Sequence, residues 1–111
     1  MLLSVIERVL LVNIMPREGS VINLKLLREF RESLSFSEEE NKALSLSVDD
    51  HGSVHWRLLD DDGNAIPQVK EIPVNQIMFD IAKKTLAKMN KDEILKEEHL
   101  PLYEKFCEAG D

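Results

Sequence analysis

The change from helix to strand lies in residues 37–58, SEEENKALSLSVDDHGSVHWRL. Ser37 and Glu40 have the spacing of a capping box, which predicts a short helix that ends near Leu44. After this helix, apolar residues alternate with polar ones on either side of a turn at residues 49–52. Because alternation with a period of two is typical of strands, this part of the chain predicts an antiparallel hairpin.

A first helix is predicted near the start of the chain, from about Val5 to Met15. Ser4 and Glu7 repeat the capping-box spacing, and Pro16 follows the end of the helix. Apolar residues cover more than half of its circumference, which is more than a one-sided surface helix needs. Since valine and isoleucine also favour strands, a buried strand is the alternative for these residues.

A second helix is predicted between Ser20, its cap, and about Leu34. Charged residues lie on one side of this helix and apolar residues on the other, so it should pack one face on the core. The apolar face holds Ile22, Leu26, Leu27, Phe30 and Leu34.

Further elements follow the hairpin. A second turn is expected at residues 60–64, and residues 68–74 should add a third strand at a sheet edge, because Pro73 cannot donate to a ladder. Asn75 is expected to cap a helix that runs to about residue 90. A last helix is predicted over residues 101–108.

Together these elements predict a single domain over residues 1–111 with a mainly helical α+β fold. It should have three N-terminal helices, a small antiparallel β-hairpin or meander and two C-terminal helices. A chain of this length buries roughly two thirds of its unfolded surface, which is enough for a core. The apolar faces predict one connected core that contains Leu27, Phe30, Trp56 and Ile81.

Charge is unevenly spread along the chain, whose formal net charge is -7. Residues 37–71 hold nine acidic and three basic side chains, and residues 92–111 hold seven acidic and two basic ones. Residues 72–91 hold one acidic and four basic side chains. This balance favours basic protein partners and disfavours nonspecific binding to nucleic acid or anionic lipid.

The compartment is predicted from two features. The apolar residues 1–15 are interrupted by Glu7, Arg8 and Asn13 and are too short to span a bilayer, so neither a signal peptide nor a membrane anchor is expected. Cys107 is the single cysteine, so an intramolecular disulfide is impossible, and this fits a cytoplasmic protein.

Motifs for chemistry are weak. The acidic turn that ends at Gly63 evokes a calcium loop, but position 69, where the closing glutamate should stand, is Val69. His51 and His55 have no recognised zinc-site spacing. We therefore predict no catalytic residue, no metal site and no cofactor.

Two other polar features have structural interpretations. His99 is expected to bond to the backbone at the start of the last helix. Lys83, Lys84, Lys88 and Lys91 form a basic row on one helix, but no aromatic residue interleaves it, which favours a solvated face over a nucleic-acid site.

Several stretches resemble short uncharacterised proteins of phages and prophages. These are residues 7–19, ERVLLVNIMPREG; residues 24–32, LKLLREFRE; residues 34–40, LSFSEEE; and residues 99–106, HLPLYEKF. The acidic loop around Asp60 looks like an insertion beyond that pattern. The resemblance implies a phage origin and the cytoplasm of a bacterial host, and it transfers no activity and no functional residue.

The favoured function is that of a non-enzymatic interaction protein. The excess apolar surface of the first helix should support a homo-oligomer, most simply a dimer, or the binding of a phage or host protein. The candidate interface residues are Leu3, Leu10, Leu11 and Ile14, and Leu11 is expected to be exposed because it shares a strip with polar residues.

Two alternatives stay open. In a winged helix-turn-helix regulator, residues 30–44 would supply the helix-turn-helix and residues 46–58 the wing. However, the recognition helix would open with Glu38, Glu39 and Glu40, which DNA phosphates repel, so nucleic-acid binding is disfavoured. The second alternative is an acidic inhibitor that occupies the basic groove of a host nucleic-acid-binding protein.

Overall fold

The computed structural model describes residues 1–108, so the last three residues of the predicted single domain lie outside it. The chain forms a mainly helical α+β fold with two small antiparallel sheets. The helices are α1 (Val5–Ile14), α2 (Val21–Leu34), α3 (Glu38–Leu44), α4 (Gln76–Lys91) and α5 (Leu100–Tyr103). The strands are β1 (Leu2–Ser4), β2 (Ser47–Val48), β3 (Val54–His55) and β4 (Val69–Glu71). A 3-10 turn, Glu97–His99, and a π turn, Glu104–Glu108, flank α5.

The predicted order of elements is wrong. The described chain starts with strand β1, which precedes the first helix and was not predicted, and the predicted last helix is divided between α5 and the π turn. The meander is also wrong, because β4 pairs with β1, whereas β2 and β3 form a separate hairpin. The pairing of β1 with β4 brings together residues 2–4 and 69–71, which are far apart in the sequence. The local spacing of apolar residues therefore cannot predict it.

Side-chain caps start four of the helices where the sequence predicts them. Capping boxes are present at Ser4 and Ser37. The side chains of Ser20 and Asn75 accept hydrogen bonds from backbone N–H groups in the first turns of α2 and α4. These bonds satisfy donors that have no partner within the helix, which explains why the starts could be predicted locally. The alternative that the first apolar run is a strand is wrong for residues 5–14.

Two apolar clusters make up the core of the described residues. The main cluster lies between α1, α2, α4 and α5 and contains Leu3, Leu10, Leu11, Met15, Leu27, Phe30, Leu34, Ile72, Met78, Ala82, Leu86, Leu102 and Phe106. The second cluster is small and contains Val5, Leu44 and Ile66, with Phe36, Leu46 and Trp56 packed against it. The prediction of one connected core is therefore wrong for Trp56, which is half-buried in the second cluster. Ile22 was predicted to face inward, but it is 71% exposed.

Candidate protein-binding surface

The predicted interface residues do not form a surface. Leu3, Leu10 and Leu11 are buried in the main cluster, and Ile14 is partly buried against it. Leu11 is 0% exposed, so the expectation that it faces solvent is wrong. Helix α1 is enclosed by β1, α2 and α5, which cover the side on which these residues lie.

The polar strip of α1 faces inward because its charges find partners inside the protein. Glu7 is 3% exposed and Arg8 is 2% exposed. Glu7 Oε1 accepts hydrogen bonds from the Ser4 backbone N–H at 2.9 Å and from Lys105 Nζ at 2.7 Å. Lys105 Nζ also donates to the carbonyl oxygen of Leu2 at 2.9 Å, so the C-terminal π turn is tied to the junction of β1 and α1.

Arg8 holds the corner between α2 and α3 against α1. Its Nε donates to the carbonyl oxygen of Leu34 at 3.1 Å, and its Nη2 donates to that of Ser35 at 2.6 Å. Its Nη1 lies 2.6 Å from Glu40 Oε2. The guanidinium carbon is 3.9 Å from the centroid of the Phe36 ring, a cation–π distance. The pKa of Glu40 is lowered to about 2, chiefly by the hydrogen bond from Arg8 and further by those from the Ser37 backbone and Lys70, although burial of the carboxylate acts in the opposite direction.

Because the polar strip is buried, the opposite side of α1 faces outward. It forms the floor of an open groove of about 730 Å³, which we call the α1 groove. Its floor contains Ile6, Val9 and Asn13, and its walls are residues 51–54 and Trp56 of the hairpin and residues 96–98. Val9 also lines two neighbouring depressions, one beside Phe36 and the strands of the hairpin and one beside the end of α2. Within residues 1–108, Val9 packs against neither core cluster.

Trp56 makes the hairpin wall of the groove and is held in place by Gln68. Trp56 Nε1 donates to Gln68 Oε1 at 2.8 Å. Gln68 Nε2 in turn donates to the carbonyl oxygens of Arg57 and Ile66, at 3.2 and 2.9 Å. The amide of Gln68 therefore fixes the indole ring and the chain on both sides of the acidic loop.

The rim of the α1 groove carries more carboxylates than basic side chains. Glu97 and Glu98 lie on one wall, beside Lys96. The turn of the opposite hairpin wall begins with Asp49 and Asp50. His55 Nε2 lies 2.8 Å from Asp49 Oδ2, and this hydrogen bond lowers the pKa of the Asp49 carboxyl.

The winged-helix alternative makes α3 the recognition helix. Glu38 and Glu39, at its start, are exposed. Glu40 is engaged by Arg8 and by Lys70, whose Nζ lies 3.1 Å away. The free charge at the start of α3 is therefore negative, which is unfavourable beside phosphate.

The acidic turn stabilises itself with a local hydrogen-bond pattern. Asp60 Oδ1 accepts from the backbone N–H groups of Asp62 and Asn64, both at 2.9 Å. This is the geometry of an Asx turn. In the part of the chain that the structure describes, no three His, Cys, Asp or Glu side chains are grouped so that they could hold a metal ion.

His99 is buried and its Nδ1 accepts a hydrogen bond from the backbone N–H of Lys96 at 3.0 Å, so the prediction of a backbone-bonded histidine is confirmed. Cys107 is partly buried, and burial raises the pKa of its thiol. The four lysines of the basic row on α4 are exposed, and none forms an ion pair within residues 1–108.

Comparisons of the chain with protein-family models, with curated proteins and with solved structures found no match. Among residues 1–108, no helix has both the length and the apolar character needed to cross a membrane.

Proposed function

We propose that this chain is a non-enzymatic interaction protein that binds a basic amphipathic helix of a partner protein in the α1 groove. The observation that carries the proposal is the position of Val9. This apolar side chain lies in the middle of α1 at the floor of the groove, and it packs against neither core cluster within residues 1–108. Covering such a residue with an apolar side chain of a partner removes apolar area from water.

The rim and the length of the groove define the partner. The carboxylates of Glu97 and Glu98 line the groove beside a single lysine, Lys96, and favour lysine or arginine on the partner. The partly buried face of α1 that lines the groove from Ile6 to Asn13 is about 10 Å long, which matches two turns of an amphipathic helix. Such a helix would place apolar residues over Val9 and basic residues along the rim.

A second copy of this chain is a poorer occupant. A two-fold dimer through the α1 groove would bring the same acidic rim together from both subunits. Like charges that face each other across an interface are unfavourable, and the net charge of -7 adds to this repulsion. We therefore infer a different protein as the partner. The resemblance of the chain to phage proteins supports a phage protein or a protein of the bacterial host.

The proposal can be tested with a capped helical peptide of leucine and lysine, with leucines at helical spacing. We expect its titration to shift the backbone amide signals of residues 6–13 and 51–56. Val9→Lys should weaken binding about tenfold or more, because it places a charge in the apolar floor. Ile22→Lys is the matched control, since Ile22 is exposed and lies outside the groove.

Two results would contradict the proposal. Equal affinity of the parent and the Val9→Lys variant would mean that the peptide binds elsewhere. A parent that sediments as a dimer, and becomes monomeric only with Val9→Lys, would identify a second copy as the occupant.

A further inference from the structure

The outer edge of strand β4 has unpaired backbone groups. In the β1–β4 ladder, Leu3 lies opposite Lys70. The backbone N–H of Val5 donates to the Gln68 carbonyl oxygen at 3.1 Å, and that of Ile72 donates to the Met1 carbonyl oxygen at 2.8 Å. Since hydrogen-bonded and non-hydrogen-bonded pairs alternate in an antiparallel ladder, residues 68, 70 and 72 face β1, and residues 69 and 71 face away from it.

The two edges of this sheet differ. On the outer edge of β1, the carbonyl oxygen of Leu2 accepts from Lys105 Nζ and the N–H of Ser4 donates to Glu7. On the outer edge of β4, the backbone groups of Val69 and Glu71 have no hydrogen-bond partner within residues 1–108. All three residues of β4 are exposed. Among the described residues, the β4 edge is therefore the only edge of this sheet that is open to another strand.

A groove runs between this edge and the corner of α2 and α3. It consists of two depressions, of about 360 and 370 Å³, which share Ser37 and Lys70. The first depression has apolar walls from Ala43, Leu44, Ile66 and Val69. An extended chain in this groove would meet backbone donors and acceptors of β4 on one side and helix α3 on the other, and it would lie against the ion pair that joins Lys70 to Glu40.

Two prolines limit how much chain can pair. Pro67 and Pro73 stand at the positions that, like residues 69 and 71, face away from β1. Because these positions face away from β1, the prolines remove no hydrogen bond from the ladder with β1. They have no backbone N–H, however, so they cannot donate to a new strand on the outer edge. Pairing is therefore confined to the segment Val69–Glu71, which suits one short segment and opposes open-ended aggregation.

Pairing of two β4 edges from two copies is unfavourable. A two-fold antiparallel pair centred on Lys70 would place this lysine directly opposite its counterpart, and like charges in that position are destabilising. A two-fold pair centred on Val69 would include Pro67, and one centred on Glu71 would include Pro73. In either case the proline has no backbone N–H to donate to the other copy. The edge is therefore suited to a different chain.

We propose that the outer edge of β4 binds an extended basic segment of another protein as a third strand. Glu32 and Glu39 line the groove, and neither forms an ion pair in the part of the chain that the structure describes. They attract basic side chains, while the first depression receives an apolar side chain at an alternate position. This surface is separate from the α1 groove, and its binding mode uses the backbone rather than an apolar helix face.

The probe is a capped peptide of alternating valine and arginine. Its matched control carries N-methyl groups on alternate amides, which removes the backbone donors of one edge and leaves the side chains and charge unchanged. We expect the unmodified peptide to bind and to shift the amide signals of residues 67–73, and N-methylation to weaken binding about tenfold or more. Equal binding of the two peptides would overturn the proposal, because attraction between charges alone would then explain the result.

Val69→Pro tests the same edge from the side of the protein. The N–H of Val69 faces away from β1, so its loss should leave the fold intact, as judged by circular dichroism, and abolish binding of the unmodified peptide. If this variant does not fold, Glu39→Lys gives the second test and should weaken binding several-fold. Unchanged affinity in Glu39→Lys and in a folded Val69→Pro would contradict the proposal. Val9→Lys should leave this binding unchanged, which separates the outcome from that of the α1 groove.

Discussion

The helical part of the molecule and its hairpin part are built on very different amounts of buried surface. The helical part, formed by α1, α2, α4 and α5, shares the main cluster, in which thirteen side chains are buried. The hairpin part consists of residues 36–66, which include α3, together with the start of α1, and it relies on three buried side chains and a half-buried tryptophan among the described residues. Large buried faces give the first part its stability, whereas the second depends on turns, on Gln68 and on the corner at Arg8. The proposed binding surfaces lie along the border between the two parts.

The largest expected effect compares Phe30 with Trp56. Phe30→Ala should reduce the free energy of unfolding by about 3 to 5 kcal/mol, because a fully buried ring leaves a cavity in the main cluster. Trp56→Ala should cost only about 1 to 2 kcal/mol, because the ring is half-buried. Urea denaturation of both variants measures the difference.

An equal decrease of the denaturation midpoint in Trp56→Ala and Phe30→Ala would contradict the view that the hairpin part contributes less buried surface than the helical part. We expect instead that Trp56→Ala speeds hydrogen exchange in the hairpin and leaves exchange in α2 and α4 unchanged, as in local opening. A uniform increase in exchange across all helices would mean that the two clusters unfold as one unit.

The sequence predicts elements that are specified locally and misses those that depend on distant partners. The starts of four helices were predictable because each capping side chain and the backbone N–H that donates to it lie within one turn, as at Ser4, Ser20, Ser37 and Asn75. The sheet of β1 and β4 was not predictable, because its pairing spans most of the chain.

The orientation of α1 shows the same limit. Its helical wheel has one polar strip, and a polar strip ordinarily faces water. Here Glu7 and Arg8 are buried and form ion pairs with Lys105 and Glu40, respectively. Both partners are far away in the sequence. The predicted interface at Leu3, Leu10, Leu11 and Ile14 therefore lies on the core side, and the partly buried, groove-lining face around Val9 was missed. The spacing of apolar residues does not reveal that Glu7 and Arg8 are buried, because each forms its ion pair with a residue far away in the sequence.

A smaller effect is expected at Arg8, which joins the two parts. Arg8→Lys keeps the charge but loses the planar fork that reaches two carbonyl oxygens and Glu40. We expect a loss of about 2 kcal/mol in the free energy of unfolding, since buried acceptors lose their donors. Lys42→Arg on the exposed side of α3 is the control and should have no measurable effect. A denaturation midpoint equal to that of the parent would show that the corner at Arg8 does not couple the two parts.

The smallest effect concerns pH and tests the same corner through Glu40. Its pKa is lowered from 4.5 to about 2, chiefly by the hydrogen bond from Arg8. A lowered pKa in the folded state means that the contribution to stability is present above pH 4.5 and is lost as the pH falls from 4.5 towards 2. Because Glu40 is partly exposed, screening by solvent limits this contribution to about 1 kcal/mol. Glu40→Gln should therefore flatten the dependence of stability on pH in that range, whereas Glu39→Gln, on the same turn of α3, should not. Equal slopes for Glu40→Gln and the parent would mean that the ion pair with Arg8 contributes nothing to the connection between the helical part and the hairpin part.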